Sequence, residues 1–423
     1  MPATGKPLDP FAGGALLASA PTTDAQREVL AVARLGDDAN LAYNEGTQLT
    51  LHGSVDRARL LAALDAVHRR HESLRMTFSK DDEAFFVWDR PLVVEERATV
   101  PSEPFDLDEG PLFRAILLEG APFRTELVLL AHHLACDGWS LGVIVQELLT
   151  LYRDPAAVLD EAPRFTDYAQ RDRAPIAPET EQFWRRQFEG SVPRMELPAE
   201  RARGPVRDYR AARVDVDVDP ALVAEVRRFA AKQQVTFVAA MLAGAAATVS
   251  RLCGEDDVVL ALPSAGQATL GMPGLVGHCV NVLPVRLYVD AQESVGALVR
   301  RAGTRLLDVQ EHARFTLGRL LRTVALPRVP GRIPVTPVMF NVDQGLKLDT
   351  LLAGTALRGE VRTIPRVAEY FELFLNLVQH EGRPLVIECQ YNAHCFSEAL
   401  VREWLAGYVA LLASMVADAD RPA

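Results

Sequence analysis

The stretch Ala131–Ser140, AHHLACDGWS, places two adjacent histidines just ahead of an acidic residue, a glycine and a tryptophan. Before it, TELVLLAHH reads as a strand. After it, GWSLGVIVQELLTLY reads as a helix. The quoted residues therefore occupy a strand-to-helix loop, where a rigid scaffold holds side chains from both sides. Neighbours on a strand point to opposite faces. His132 and His133 are thus badly placed to share one metal ion or to act on one substrate from the same side. One faces the interior and the other a cavity. A histidine can serve as a general base or a hydrogen-bond partner near neutral pH, and a buried structural histidine fits the same pattern. Asp137 suits the N-cap of the following helix, a loop-orienting role, or pairing with an arginine. Gly138 suits a backbone turn closed to other residues. Trp139 suits either core packing or a flat wall. Cys136 reads as a small packing residue, because no second base is placed to activate it as a nucleophile.

The chain has 423 residues, 49% of them hydrophobic, which is enough for a large core and for more than one folding unit. The net charge of −11 disfavours nucleic-acid binding. No run approaches the roughly 18–20 uninterrupted apolar residues of a membrane span. The opening MPATGKPLDPFAGGALLASAPTTD lacks the organisation of a signal peptide. A cytoplasmic protein without a membrane partner is expected. The cysteines, Cys136, Cys253, Cys279, Cys389 and Cys395, are scattered and form no CxxC, so reduced thiols and no metal site are expected.

Working outward, residues 1–18 are rich in Gly, Pro and Ala and read as a leader or linker. TTDAQREVLAVARL follows with helical spacing and Asp24 as its candidate cap. GTQLTLHGSV alternates as a strand. VDRARLLAALDAVHRRHESLRMTF is an amphipathic helix, with Leu60, Leu61, Leu64 and Val67 at helical spacing, running into a short strand. EAFFVWDR, PLVVEE and LFRAILLEG read as strands. LPAERARGPVRDYRAARV reads as a linker, and a second unit begins near Arg213. It alternates strands (ARVDVDVD, DDVVLALPSA, HCVNVLPVRLYV, VTPVMFNVDQ, FELFLNLVQHEG, LVIECQYNAHCF) with helices, and SEALVREWLAGYVALLASMVADA closes it. The class is α/β (α+β).

HHLACDGWS resembles the HHxxxDG signature of the condensation domains of nonribosomal peptide synthetases, in the chloramphenicol acetyltransferase-like superfamily. The likeness runs in order along most of the chain. TTDAQREVL resembles the family's opening motif, and AYNEG, Ala42–Gly46, its next signature. RRHESLRMTF, Arg69–Phe78, is similar to RHExLRxxF, and FDLDEGPLFRAILL to FDLxxGPLxR. FTDYAQRDR and EQFWRRQF resemble segments after the core, and GEDDVVLALPSAGQ a strand leading to a loop. VGHCVNVLPVR, Val276–Arg286, resembles GxFVNTLPLR, and YNAHCF resembles YNxxLF. There are departures. His278 and Cys279 replace the usual bulky apolar pair, and EHARFTLGRLL lacks the usual Pro-Phe. The order DGWS sets the chain apart from epimerization domains, and its first histidine from cyclizing relatives.

The resemblance implies two acetyltransferase-like lobes in a V-shaped pseudo-dimer with a tunnel between them. We place the N-terminal lobe at 19–178 and the C-terminal lobe at 179–423. The implied reaction joins a carrier-bound acyl or peptidyl thioester donor to the amine of a carrier-bound aminoacyl acceptor. The alternatives are an acyltransferase using a free amine or alcohol, and a non-catalytic recruitment domain. The intact His133, Asp137 and Gly138 speak against the last. No bound cofactor is implied, because the substrates ride on phosphopantetheine arms of donor and acceptor carrier proteins. By the same resemblance His133 is catalytic, as a base or a positioning group, and His132 is structural. Asp137 orients the loop by pairing with Arg286. Gly138 offers a backbone N–H to the developing oxyanion. Trp139 and Ser140 line the tunnel. Arg70 and Arg75 are expected to hold strand to helix, and Asn281 to be structural. The chain is expected to be a monomer or part of a larger synthetase, either free-standing or an excised domain.

Overall fold

A computed structural model describes residues 14–190, 192–324, 329–380 and 382–420. The chain starts with β1 (Ala15–Pro21), α1 (Asp24–Ala33), α2 (Asp37–Leu41), β2 (Asn44–His52) and α3 (Arg57–Arg70). Next come β3 (Met76–Phe78), β4 (Ala84–Asp89), β5 (Val94–Arg97), β6 (Phe113–Leu118), β7 (Arg124–His132), α4 (Gly138–Arg153) and α5 (Phe165–Asp172). Side-chain oxygens at helix starts decide several boundaries, because the first backbone N–H groups of a helix have no partner within it. Thr23, rather than Asp24, caps α1, with Gln26 completing a reciprocal capping box. Asp56 caps α3, and Asp137 caps α4 by accepting from the Ser140 N–H.

β7 is the central strand of the N-terminal sheet. Its Leu127, Val128 and Leu129 are fully buried beside Leu49 and Leu51 of β2 and Ile144, Val145 and Leu148 of α4. The register sets Asn44 opposite His132 and Glu45 opposite Ala131. A smaller sheet has the order β1-β4-β3. β1 falls partly inside the segment expected to be a leader; residues 1–13 of that segment lie outside the described residues. Leu16 and Leu17 are exposed, so a core-facing pattern does not make this strand. It forms because β4 has an edge whose backbone groups need partners.

The second half begins with α6 (Pro178–Gln187), which turns Trp184 into the C-terminal core and ties its indole N–H to the His312 carbonyl at 3.0 Å. β8 (Ala211–Val218), α7 (Pro220–Lys232), α8 (Phe237–Cys253), β9 (Asp257–Ala265), α9 (Gly266–Thr269), β10 (Val280–Tyr288), α10 (Val295–Glu311) and α11 (Leu317–Thr323) follow. The chain ends with β11 (Val338–Gln344), α12 (Leu348–Leu351), β12 (Arg358–Thr363), β13 (Leu373–Gln379), β14 (Leu385–Asn392) and α13 (Glu398–Ala417). The C-terminal sheet has the order β10-β9-β11-β13-β14-β8 and packs on α8, α10 and α13. α13 is long and apolar enough to cross a membrane by length and composition alone. Its Trp404, Tyr408, Leu411 and Leu412 lie in this core, and the Tyr408 hydroxyl donates to the Met241 carbonyl at 3.0 Å.

Each lobe has its own core, but the chain does not divide cleanly between them. β12 leaves the C-terminal half and extends the N-terminal sheet, pairing antiparallel with β2 so that Val361 faces Leu49. Leu348, Leu352 and Leu357 pack into the N-terminal core with it. A second crossing, Met272 to Cys279, also packs there. These two crossings bring C-terminal residues to the loop that follows β7. All five cysteines are free thiols.

α8 and α13 approach closely at Gly244, where a Cβ would lie 2.8 Å from Leu412 Cδ2. Gly407 on α13 faces open space. Gly244→Val is expected to destabilise by about 2 kcal/mol through overpacking. Gly407→Ala is expected to be neutral or to stabilise by about 0.5 kcal/mol. Thermal melts of both variants check the contrast.

Candidate active site

The two histidines part as strand alternation requires. His132 ends β7 and is fully buried, with its ring between Tyr43 and the edge of Phe105. Its Nδ1 accepts from the Leu134 N–H at 3.2 Å, which forms a tight local turn. Burial pushes its basicity far down, to about 3, with His133 and His278 adding, so the ring is neutral at physiological pH. His133 turns the other way. It lines a cavity of about 2510 Å³ between the lobes, shared with Glu45 and Trp139 on one side and Met339, Asn341 and Tyr370 on the other. Its backbone N–H donates to the Tyr43 carbonyl at 2.7 Å, which fixes the loop to the end of β2.

Both ring nitrogens of His133 have close neighbours. Nδ1 is 3.1 Å from His278 Nδ1, with the rings perpendicular. Nε2 is 3.2 Å from Glu45 Oε2. Burial lowers the basicity of His133 and of His278; the Arg366 cation lowers His133 further, and His133 does the same to His278. Burial pushes Glu45 up to about 7, against the pull of Arg366 and with Asp137 and Glu369 adding. Arg366 stands 3.8 Å from Glu45 Oε1 and is held at 2.8 Å by Glu369. Among the described residues no cluster of three or more His, Cys, Asp or Glu side chains is placed to hold a metal ion.

Asp137 lies fully buried beneath the loop. Oδ1 accepts from the Ser140 N–H at 2.9 Å and lies 2.6 Å from the Ser140 hydroxyl. The Gln267 side-chain amide donates to both carboxylate oxygens at 3.1 and 3.0 Å, and the Cys279 N–H donates to Oδ2 at 3.0 Å. Arg286, the expected partner, is not among these. It sits on Asp257, at 3.0 Å from its Nε, and on the Gln187 carbonyl at 2.8 Å. The correction is geometric. A strand rises about 3.3 Å per residue, so Arg286 lies far down β10 from the Cys279 amide that Asp137 grips. Backbone and side-chain amides take the place expected of the guanidinium.

Two further expectations are corrected. Ser140 is fully buried and does not line the cavity; its Oγ accepts from the Gly277 N–H at 2.9 Å. Gly138 has no left-handed backbone, and a Cβ there would meet only Glu45 Oε1, at 3.5 Å. The position that demands glycine is Gly277, where a Cβ would fall 2.0 Å from the Phe165 ring. Gly138 and Trp139 do line the cavity, and the Trp139 indole N–H donates to the Pro273 carbonyl at 2.8 Å. Arg75 ties the end of α3 to β4 through the carbonyls of Arg69 and Trp88, whereas Arg70 joins α3 to Glu147 of α4. Asn281 donates to the Ala313 carbonyl at 2.8 Å, and Cys136 is buried among apolar neighbours.

Sequence reasoning missed Gln267, Glu45, Arg366 and Glu369. Gln267 and Glu45 lie inside motifs already singled out, GEDDVVLALPSAGQ and AYNEG. Arg366 and Glu369 carry no local signal, because only the crossing of β12 brings them here.

Residues 18–423 match the family described as Condensation domain. The chain is 26% identical over 419 residues to one plipastatin synthase polypeptide of Bacillus subtilis (strain 168), covering 95% of this chain and 11% of that protein. It thus spans only a small part of the curated relatives it matches. Among solved structures, the condensation domain from the monacolin K polyketide synthase MokA aligns with a TM-score of 0.84 at 20% identity, covering 97% of this chain and 100% of that one. The X-domain in complex with OxyB from teicoplanin biosynthesis aligns with a TM-score of 0.79 at 23% identity, covering 100% and 98%.

Asp137→Ala strands buried amide donors on three segments. It is expected to cost about 3 kcal/mol and to lower the melting temperature. Arg286→Ala is expected to destabilise the C-terminal lobe while leaving the His133 surroundings unchanged. Histidine side-chain NMR spectra of the two variants read the difference.

Proposed function

The chain belongs to the condensation-domain family, and on that premise we propose that it joins a carrier-bound acyl or peptidyl thioester to the amine of a carrier-bound aminoacyl acceptor at His133. The observation that carries this is the placement of His133. It is the member of the histidine pair that faces the inter-lobe cavity, and its ring is held neutral by burial. A neutral imidazole can accept a proton or hold an amine.

The cavity fits such a task in size. At about 2510 Å³ it exceeds the ~300–1,000 Å³ usual for one small ligand. Two substrate arms meeting from separate carriers need such room. Aminolysis of a thioester runs downhill, and an α-amino group ionises near pH 8, so positioning supplies much of the rate. In this reading Asp137 contributes indirectly, by holding the loop and the start of α4. Gly138 and Trp139 sit at that helix start, where backbone N–H groups are left over for outside acceptors. The Gly138 N–H is the candidate donor to the tetrahedral oxyanion. His132 keeps the turn and takes no part in the chemistry.

The test loads synthetic donor and acceptor carriers and follows the condensed product by mass spectrometry. His133→Ala is expected to melt like the native protein and to lose about 100-fold or more in turnover, the scale of a general base. Native turnover in His133→Ala contradicts the assignment.

A further inference from the structure

The reaction removes two protons from the acceptor nitrogen. An ammonium group, R–NH3+, ends as an amide N–H. One proton must leave before the lone pair can attack. The second must leave as the C–N bond forms and the C–S bond breaks, and it goes to the departing thiolate. A single base serves only one of these transfers at a time.

Two acceptors face each other at this site. Glu45 Oε2 is buried and has no aligned hydrogen-bond donor, although His133 Nε2 stands 3.2 Å away. An orphaned buried carboxylate oxygen is uncommon and calls for a reason. Glu45 enters from β2, diagonal to His133 across the β2–β7 pair, and lines the same cavity. The space beside Gly138, where a side chain would meet Glu45, is left open.

His278 supplies the matching piece. The two Nδ1 atoms are 3.1 Å apart, so one carries a hydrogen and the other accepts it. With the His133 hydrogen on Nδ1 and His278 Nδ1 accepting it, His133 Nε2 is left bare, facing Glu45 and the cavity.

We propose that Glu45 is a second proton acceptor for the substrate ammonium beside His133, and that His278 is a positioning residue that keeps the His133 hydrogen on Nδ1. This rests on the condensation reading given above. The ammonium donates to Glu45 Oε2 and to His133 Nε2 at once. Glu45 takes the first proton, and the freed lone pair attacks the thioester carbon. As the C–S bond breaks, His133 takes the second proton and passes it to the sulfur, giving the thiol. Glu45 releases its proton to water when the amide leaves. The value near 7 brought about by burial suits Glu45 to exchange with an amine near 8. The charged and titratable groups around it are His133, Arg366 and Glu369, with Asp137 and Cys136 on the loop and Asp343 on β11.

The sign of the pH effect follows. Glu45 accepts only when ionised, so turnover of the saturated native enzyme rises with pH through about 7. Glu45→Gln is expected to lose about 100-fold below pH 7, with the deficit shrinking above pH 8, where the amine is already free. Glu45→Asp recovers part of the loss. A deficit that is constant across pH, or absent, overturns the role of Glu45. For His278, selectively 15N-labelled protein reports the tautomer of His133, assigned by difference with His133→Asn. His278→Leu is expected to move the His133 hydrogen to Nε2 and to lower kcat at unchanged KM. His278→Asn, whose side-chain oxygen can accept from Nδ1, is expected to restore both. An unchanged tautomer in His278→Leu overturns that part. The NMR readout needs no substrate. The condensation reading itself falls with native activity in His133→Ala, whereas this proposal falls alone if His133→Ala is inactive and Glu45→Gln shows no pH-dependent deficit.

Discussion

Asp137 accepts hydrogen bonds from three parts of the chain at once. Ser140 belongs to its own helix start, Gln267 to the short helix α9 after β9, and Cys279 to the approach to β10. The carboxylate is fully buried, so each of these bonds replaces water that cannot enter. A buried carboxylate with satisfied oxygens is rigid, and removing it strands its donors. The two lobes meet where these donors converge. His133 and His278 reach contact distance because Asp137, on the loop that carries His133, grips Cys279, the residue beside His278.

The electrostatics of the cavity follow from that closure. Burial alone drives imidazoles toward neutrality and carboxyls toward protonation. Arg366 sharpens the contrast by opposing the second effect at Glu45 and adding to the first at His133. The outcome is a neutral imidazole beside a carboxyl that titrates near neutral pH. Glu45 therefore changes protonation close to the range where an α-amine also does, whereas His133 stands as a free base throughout it.

Much of this is legible in the sequence. Alternation along TELVLLAHH separates His132 from His133, and the residue order DGWS marks Asp137 as a helix cap. Ordered motifs along the chain carry the family and the two-lobed fold. What stays hidden is mostly non-local. Arg286 and Cys279 belong to one motif, yet an extended strand carries Arg286 away from the loop. β12 gives no sign in its own residues of pairing with β2, and so Arg366 and Glu369 have no place in the site until the fold is known. β1 reads as leader because its partner edge on β4, rather than its own apolar pattern, makes it a strand. Gly138 and Gly277 show the limit of reading residue types alone. The glycine within the signature has ordinary backbone and open space, whereas the one that must lack a side chain packs on Phe165.

The most direct test of His133 as the residue that meets the acceptor amine is an affinity label. A carrier protein whose phosphopantetheine arm ends in an alkyl bromide, in place of the aminoacyl group, brings an electrophile to the acceptor's position. Peptide mapping by mass spectrometry then locates the alkylated atom. The account predicts modification of His133, lost in His133→Ala and blocked by an acceptor-loaded carrier. Labelling confined to residues outside the cavity, with His133 untouched, would contradict it.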